Sequence, residues 1–231
     1  MFKAVIFDID GTIYSYVEND KIAVEKLCEY AEKILNVEET EFRKVYKEAR
    51  RIVKEERLTD GGARHSRVLF FQTALELLGK NPFCHILEMY DVYWNNFLAN
   101  MKPFDGAVEF IEKLHRAGIK IALCTDMTAH IQYRKIQRLG LNKFVDFMVT
   151  SEETGLEKPA RIMFELALKK LNVTAAETAY FGDSPERDMA GAKKVGMTPF
   201  LYTGEKIFEN KFVKCTEISS YREIMDSEIF F

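Results

Sequence analysis

Residues 4–12 read AVIFDIDGT, an apolar run followed directly by two acidic residues, a glycine and a threonine. The apolar run predicts a buried β-strand that ends where Asp8 begins. Side chains two positions apart in an extended chain point to the same side, so Asp8 and Asp10 would converge on one pocket while Gly11 lets the backbone bend away beneath them. Two like charges held that close repel each other, and a bound cation would relieve the repulsion. We therefore expect chemistry at the end of this strand.

The bulk composition is that of an ordinary globular protein. The 231 residues include 33 Lys and Arg and 36 Asp and Glu, a net charge of −3, and 47% of the chain is hydrophobic. This balance disfavours a nucleic-acid polymer as partner and favours a small molecule. No apolar stretch approaches the ~20 residues that a membrane helix needs, and the first strand starts without a signal-peptide pattern. We expect a cytoplasmic protein that binds no membrane, built as one α/β domain with an insertion or as two modest domains.

The cysteines show neither a CxxC pair nor a regular spacing, which disfavours a zinc site and a disulfide framework. One of them, Cys124, ends an apolar run and is expected in the core of a strand. Reduced thiols are predicted at Cys28, Cys84, Cys124 and Cys215.

The chain between Thr12 and about residue 100 shows helical periodicity. Apolar residues recur every three or four positions in successive stretches, which indicates amphipathic helices. Glycine-containing breaks separate the later stretches. The helices are predicted at residues 20–36, 39–57, 64–78 and 83–98, and together they indicate a four-helix bundle.

From residue 102 onward, helical and extended patterns alternate. Helices are predicted at residues 105–117, 128–139, 160–171 and 185–195, and strands at 119–124, 145–149, 178–181 and 198–202, with a short strand near 212–215 and a helix at 219–225 in the tail. This alternation predicts an α/β fold with a doubly wound, Rossmann-like parallel sheet, to which the strand before Asp8 also belongs. The α/β domain is predicted to comprise residues 1–13 and 101–231, with the helical bundle of residues 14–100 inserted.

Ligands of open parallel sheets bind at the carboxyl ends of the strands, where loops begin at Asp8, Thr125, Ser151 and Gly182. Taken singly, the polar residues of these loops have ordinary explanations, since a strand-end Asp often caps a helix and a Lys before Pro is usually solvated. Their joint occurrence at strand ends predicts one site for a phosphate and a divalent metal. The residues of this site are Asp8, Asp10, Thr125, Lys158, Asp183 and Asp188.

This combination resembles the haloacid dehalogenase superfamily, in its phosphatase branch. The four sequence motifs of that superfamily match residues 8–12, Thr125, Lys158, and Asp183 with Asp188. A helical bundle inserted just after the first motif, here residues 14–100, is similar to the cap domain of the superfamily. The resemblance covers the predicted sheet domain from end to end.

A carboxylate nucleophile can form an acyl phosphate, which divides a difficult hydrolysis into two easier displacements, and we assign that role to Asp8. A phosphate monoester is a dianion that Asp8 would repel, and Mg²⁺ is the natural remedy because it prefers oxygen ligands. Asp8 and Asp183 are the predicted side-chain ligands of the metal. By the resemblance, the backbone carbonyl of Asp10 is a third ligand, and Asp188 supports the metal directly or through water.

The remaining roles concern charge and protons. Lys158 would offer a positive charge to the phosphoryl oxygens, and Thr125 would donate a hydrogen bond to them. Asp10 would protonate the departing alkoxide and then take a proton from the attacking water. Haloalkanoate dehalogenases of the superfamily lack this second Asp, because a halide needs no proton. Its presence favours cleavage of a phosphate ester over dehalogenation.

Substrate contacts are predicted in two further places. The stretch of residues 61–67, GGARHSR, is the richest polar stretch of the bundle and makes Arg64 and Arg67 candidates for binding an anionic substrate. Asp126 adjoins Thr125 and is a candidate by position. The sequence after Thr125 is similar to the branch of the superfamily that contains nucleotide and sugar-acid phosphatases, which commonly has Asn-Gly directly after this threonine. A carboxylate at that position would repel phosphate if it pointed into the site. We therefore expect Asp126 to face outward or to meet a cationic group.

The sequence thus predicts a Mg²⁺-dependent phosphatase that hydrolyses a small soluble phosphate monoester, such as a nucleotide or sugar phosphate, through an aspartyl phosphate. The alternatives are a phosphomutase that uses the same intermediate, and a non-catalytic protein that binds phosphometabolites. A signalling receiver domain is disfavoured by the order of the motifs and by the size of the insertion. A monomer or a homodimer is expected.

Overall fold

A parallel sheet lies at the centre of the computed structural model, which describes residues 1–204 and 214–231. Within these residues the sheet has six strands in the order β3-β2-β1-β4-β5-β6, and every neighbouring pair is parallel. The predicted doubly wound α/β fold is confirmed. The strands are β1 (Ala4–Phe7), β2 (Lys120–Thr125), β3 (Phe147–Thr150), β4 (Thr178–Gly182), β5 (Thr198–Tyr202) and β6 (Thr216–Ile218).

The central strand β1 is buried on both faces, which explains why its sequence is continuously apolar rather than alternating. Val5 and Phe7 belong to one hydrophobic cluster, whereas Ala4 and Ile6 belong to another on the opposite face. The ring of Phe7 stacks on that of Phe181 in β4, with centroids 5.0 Å apart. Such a sheet needs helices on each side, and the chain supplies them.

The helices follow the predicted order, with some differences. A short helix at Ser151–Thr154 was not predicted, and the first part of the helix predicted at residues 185–195 is a π-helical turn, Pro185–Met189. Both of the first two helices continue into π-helical turns, Ala31–Leu35 and Ile52–Arg57, which accounts for their predicted length. No helix in the described part of the chain is long and apolar enough to cross a bilayer. The helices are α1 (Tyr16–Tyr30), α2 (Glu39–Arg51), α3 (Arg67–Leu77), α4 (Pro82–Asn100), α5 (Ala107–Arg116), α6 (Ala129–Arg138), α7 (Ser151–Thr154), α8 (Arg161–Leu171) and α9 (Ala190–Val195).

The start of α3 differs from the prediction. The helix was expected from Arg64, but Gly62–His65 form a short 3₁₀ turn and the α-helix begins at Arg67. Ser66 is the reason, because its hydroxyl accepts a hydrogen bond from Leu69 N at 3.5 Å and caps the helix there.

The helices α1 to α4 pack on one another and also against the sheet domain. Aromatic side chains of α4, including Trp94 and Phe97, belong to the same hydrophobic cluster as Phe7 of β1. Tyr14, just before α1, meets Phe97 edge to face with ring centroids 6.0 Å apart. The division into a cap of residues 14–100 and a core of the remaining residues stays our interpretation of this arrangement.

The tail differs most from the prediction. Of the strand predicted near residues 212–215, residues 212 and 213 lie outside the described residues, and the described strand β6 begins at Thr216. The predicted helix at 219–225 is a single 3₁₀ turn, Tyr221–Ile224. The turn buries the Tyr221 ring, whose hydroxyl donates to the Thr12 carbonyl at 2.9 Å.

Candidate active site

Three strands of the sheet end side by side, and polar residues follow each of them. Phe7 of β1 pairs in register with Leu123 of β2 and with Phe181 of β4. Asp8 N continues the ladder by donating to Phe181 O at 2.8 Å. The first residues beyond these strands are therefore neighbours at one edge of the sheet, as expected from the parallel topology.

A buried lysine links two of the predicted carboxylates. Lys158 Nζ donates to Asp8 Oδ1 at 2.6 Å and to Asp188 Oδ1 at 2.7 Å. The side chains of these three residues are 7% exposed or less. Asp188 also accepts hydrogen bonds from Tyr180 Oη at 2.8 Å and from Ser184 N at 3.1 Å. The structure thus brings together residues from three separate loops.

The charges of this group are strongly coupled. Burial raises the pKa of the Asp8 carboxyl well above its usual value, Lys158 opposes that rise, and the nearby carboxylates add to it. Burial disfavours the Lys158 ammonium, but the carboxylates of Asp188 and Asp8 raise its pKa well above the usual value. Lys158 is therefore a fixed positive charge, and additional positive charge beside Asp8 would favour its ionised form.

An acidic cluster that suits a divalent cation lies here. Asp8, Asp183 and Asp188 each offer a carboxylate oxygen, and these oxygens lie within 4.8 Å of one another. Oxygen donors are the ligands that Mg²⁺ prefers. Gly11 lies against the cluster with φ +89°, and a Cβ atom there would come within 2.3 Å of Asp183 Oδ2. The donor set and this close backbone approach both fit a metal site.

Asp10 has different partners from Asp8. Lys135 Nζ lies 2.5 Å from Asp10 Oδ1, Gln132 Nε2 donates to Asp10 Oδ2 at 2.8 Å, and the Tyr14 hydroxyl also donates to Oδ1. Burial alone would raise the pKa of Asp10, but the Lys135 charge and the three donors hold it below its usual value. The predicted contact of the Asp10 backbone carbonyl with a metal stays a prediction.

Thr125 lies within the same network. Its side chain is buried, and its Oγ1 accepts a hydrogen bond from Gln132 Nε2 at 2.7 Å. Gln132 therefore connects the residue predicted to hold phosphate with the residue predicted to carry protons. Sequence reasoning did not single out Gln132 or Lys135 as members of the site.

A cavity of about 1010 Å³ opens over these residues, and Asp8, Asp10, Thr125, Lys158, Asp183 and Asp188 all line it. Helix α2 and the turns that follow it also contribute residues to its lining. We call Arg50, Lys54 and His65 the basic cap wall, because all three line the cavity from the inserted helices.

The basic cap wall is only partly neutralised. Arg50 Nη1 lies 3.3 Å from Asp20 Oδ2, and His65 Nε2 lies 2.7 Å from Glu157 Oε1. No carboxylate of the described residues forms an ion pair with Lys54. Burial, followed by repulsion from neighbouring arginines, lowers the pKa of Lys54 to about 8.

Arg64 and Arg67 do not belong to the residues that line the cavity. Arg64 donates to Glu157 Oε2 at 3.0 Å and to the Lys54 carbonyl. Arg67 is 2% exposed and donates to Tyr93 Oη at 3.0 Å, in the aromatic core of the helices. Their predicted contact with substrate stays a prediction, and both guanidinium groups already have protein partners.

Asp126 lines the cavity and meets a cationic group, as expected. Its carboxylate pairs with the Arg187 guanidinium and accepts a hydrogen bond from Lys158 N at 2.8 Å. Asp126 thereby fixes the backbone of the lysine loop. The neighbouring charge of Arg187 offsets the repulsion that Asp126 would exert on a phosphate.

Comparison with known sequences agrees with this geometry. Residues 2–196 match the family of haloacid dehalogenase-like hydrolases. The chain is 39% identical over 205 residues to a ribulose-1,5-bisphosphate 5-phosphatase of Halopiger xanaduensis, and the match covers 87% of this chain and 85% of that protein. It is 30% identical over 229 residues to a glyceraldehyde 3-phosphate phosphatase of Methanocaldococcus jannaschii, with coverage of 98% and 96%.

Solved structures give the same fold. A 2-haloacid dehalogenase of Pseudomonas syringae superposes with a TM-score of 0.78 at 22% identity, covering 97% of this chain and 96% of that one. A phosphatase of Thermococcus onnurineus superposes with a TM-score of 0.72 at 21% identity, covering 96% and 95%. At this sequence identity the two structures support the fold alone. Sequence match, fold and site together show that the chain belongs to the haloacid dehalogenase-like hydrolase family and is one of its phosphatases, a hydrolase of small phosphate monoesters.

Proposed function

We propose that this protein hydrolyses a sugar phosphate in a Mg²⁺-dependent reaction that passes through an aspartyl phosphate on Asp8. The observation that carries the proposal is the position of Lys158 between Asp8 and Asp188, beside Asp183, at the floor of a large cavity. This arrangement supports a reaction in which Asp8 is the nucleophile, Lys158 a fixed cation and the carboxylate oxygens ligands for a metal.

The reaction proceeds in two displacements at phosphorus. A carboxylate oxygen of Asp8 forms a bond to phosphorus while the bond to the ester oxygen breaks, and the departing alkoxide takes its proton from the protonated form of Asp10. The ionised form, which Lys135 favours, is the base of the second displacement. Water then attacks the phosphorus of the aspartyl phosphate, Asp10 takes its proton, and inorganic phosphate leaves with Asp8 restored. Lys158 and Thr125 stabilise the negative charge on the phosphoryl oxygens in both displacements.

A magnesium ion held by Asp8, Asp183 and Asp188 would supply the positive charge that lets a phosphate dianion approach a carboxylate. Two residues shape the place for it. Gly11 leaves room for the Asp183 carboxylate, and Gly182 leaves room for Asp188, whose Cβ would lie 2.4 Å from a Cβ at position 182. The cluster therefore depends on the backbone as well as on the acids.

Two observations support a sugar phosphate as substrate, and the second of them favours one with a further anionic group. The named relatives act on ribulose 1,5-bisphosphate and on glyceraldehyde 3-phosphate, which are both sugar phosphates. The cavity extends from the acidic cluster to the basic cap wall, where Lys54 has no carboxylate partner among the described residues. An anion at the far end of a substrate would neutralise that charge.

The test is release of inorganic phosphate from a panel of sugar phosphates and sugar bisphosphates, with and without Mg²⁺. We expect activity that requires Mg²⁺, a preference for a sugar phosphate, and loss of turnover in Asp8→Asn. Turnover that survives Asp8→Asn would rule out the nucleophile, and turnover that needs no divalent ion would remove the metal. An isomerised sugar phosphate in place of free phosphate would instead indicate a phosphomutase.

We also propose a cytoplasmic enzyme that is a monomer or a homodimer. The thiols of Cys28 and Cys124 are buried, which suits a reducing compartment. Sedimentation of the purified protein measures its oligomeric state, and fractionation of the cells that produce it measures its location.

A further inference from the structure

Lys135 is a buried cation directly behind Asp10. Its side chain is 0% exposed, and its Nζ lies 2.5 Å from Asp10 Oδ1. The rings of Trp94 and Phe97 from α4 surround it, with centroids 5.6 and 5.5 Å from Nζ. An ammonium group in such a place is costly unless it is paired, and Asp10 is its ion-pair partner among the described residues.

Gln132 lies one helical turn before Lys135 on α6, on the same face. Its Nε2 donates both to Asp10 Oδ2 at 2.8 Å and to Thr125 Oγ1 at 2.7 Å. Its Oε1 is buried and has no hydrogen-bond partner in residues 1–204 and 214–231. The amide is therefore oriented by its two acceptors, which link the Asp10 carboxylate to the hydroxyl at the phosphate site.

The carboxylate of Asp10 is thus held at both oxygens. Lys135 and Tyr14 occupy Oδ1, and Gln132 occupies Oδ2, yet the Asp10 side chain retains 19% exposure and lines the cavity. Three donors on one carboxylate fix its plane as well as its position. Such positioning favours proton transfer, because Asp10 must contact first the leaving oxygen and then the attacking water.

We propose that Lys135 is a positioning residue for proton transfer, which acts through Asp10 and with the help of Gln132 and Tyr14. The inference rests on the proposed function, because it assigns a partner to the acid and base of that reaction. Stability alone does not explain a buried ion pair between Lys135 and Asp10. Replacing both members of such a pair with apolar residues often leaves the stability of a protein unchanged or raises it.

The test varies the leaving group rather than the acid. Wild type and Lys135→Met are compared by kcat/KM on dinitrophenyl phosphate, phenyl phosphate and the best sugar phosphate. A dinitrophenolate leaves without a proton, whereas an alkoxide needs one. We expect kcat/KM of Lys135→Met to fall about 100-fold on the sugar phosphate and less than about threefold on dinitrophenyl phosphate. An equal loss on all three substrates, or no loss on the sugar phosphate, overturns the proposal.

Two further variants make the result specific. In an Asp10→Asn background, Lys135→Met should cost no further activity, because the residue through which it acts is already gone. Additive losses would contradict the proposal. If Lys135→Met does not fold, Tyr14→Phe replaces it, because that variant also removes one hydrogen-bond donor from Asp10. We expect its loss of kcat/KM to depend on the leaving group in the same way but to be smaller. An equal loss on all three substrates overturns the proposal.

Asp8→Asn is measured in parallel on the same substrates. Full activity in that variant refutes the proposed function as a whole. Loss of activity in Asp8→Asn together with a uniform loss in Lys135→Met refutes only the role of Lys135. The two failures are therefore distinguishable.

Discussion

The core side and the cap side of the cavity differ in whether their lysines have carboxylate partners. On the core side, Lys158 is shared by Asp8 and Asp188, so its charge is balanced within the protein. On the cap side, Lys54 lines the same cavity without an ion pair among the described residues. On the core side, substrate would therefore meet a lysine whose charge the protein already neutralises. On the cap side, an anionic group of the substrate would itself neutralise the charge of Lys54. Under the proposed function, catalysis belongs to the core side and selection of substrate to the cap side.

The largest expected effect comes from removing the balanced cation. Lys158→Met leaves Asp8 and Asp188 facing each other and withdraws a charge from the phosphoryl oxygens. We expect kcat on an aryl phosphate to fall about 10²–10³-fold, as for loss of a group that stabilises the transition state. Lys170→Met is the control, because Lys170 pairs with Glu153 outside the cavity. A loss below tenfold in Lys158→Met would place the important charge elsewhere.

The next effect concerns the backbone beneath the acidic cluster. Gly11→Ala would put a Cβ within 2.3 Å of Asp183 Oδ2 and displace that carboxylate. We expect the Mg²⁺ concentration for half-maximal activity to rise about 10–100-fold, since displaced metal ligands and their supports have effects of that size. Gly79→Ala is the matched control, because Gly79 also has positive φ but nothing within 4 Å of its Cβ position. An equal response of both variants would mean that backbone strain alone is responsible.

A more selective effect is expected on the cap side. Lys54→Met should lower kcat/KM about 10–100-fold for a sugar bisphosphate, the size expected for a lost charge-assisted hydrogen bond. A phosphate ester with a neutral tail should be cleaved at nearly the wild-type rate. Lys44→Met controls for a general effect on α2, because Lys44 is exposed on that helix and does not line the cavity. Equal losses on both substrates would make Lys54 part of the common machinery.

The smallest effect is a pH dependence of the same contact. Burial lowers the pKa of Lys54 to about 8, so the side chain is charged below that pH and becomes neutral as the pH rises through it. We expect kcat/KM for the bisphosphate to decline above pH 8, and the decline to be absent with the neutral-tailed ester. Lys54→Arg should remove the decline because an arginine stays charged. A decline that persists in Lys54→Arg belongs to another group.

Much of the core could be predicted because the signals are local. The strand predicted at residues 198–202 is observed at Thr198–Tyr202, and the apolar run of residues 4–7 forms β1. Asp8, Thr125 and Asp183 could be assigned to one site because parallel strands end at a common edge. None of these inferences requires knowledge of which helix covers which face.

The burial of Lys135 could not be predicted from local sequence patterns. This residue lies between Arg134 and Arg138 on a helix rich in cations, where a lysine is normally solvated. Its burial follows from the packing of α4, whose Trp94 and Phe97 cover it, against α6. Arg67 is the opposite case, because it belongs to the polar stretch predicted to bind substrate but its side chain lies in the aromatic core of the cap helices.

The alternation of strands and helices along the chain was sufficient to predict the fold. The position of acids, hydroxyl and lysine after those strands was sufficient to predict a shared site, because strand polarity brings those loops together whatever else surrounds them. The pairing of charges was settled by packing. Lys158 meets Asp8 across 150 positions of sequence, and Lys135 meets Asp10 across 125. Electrostatic energies depend on distance and burial rather than on sequence spacing. The folded chain therefore determines which cations are neutralised inside the protein and leaves Lys54 to face the cavity.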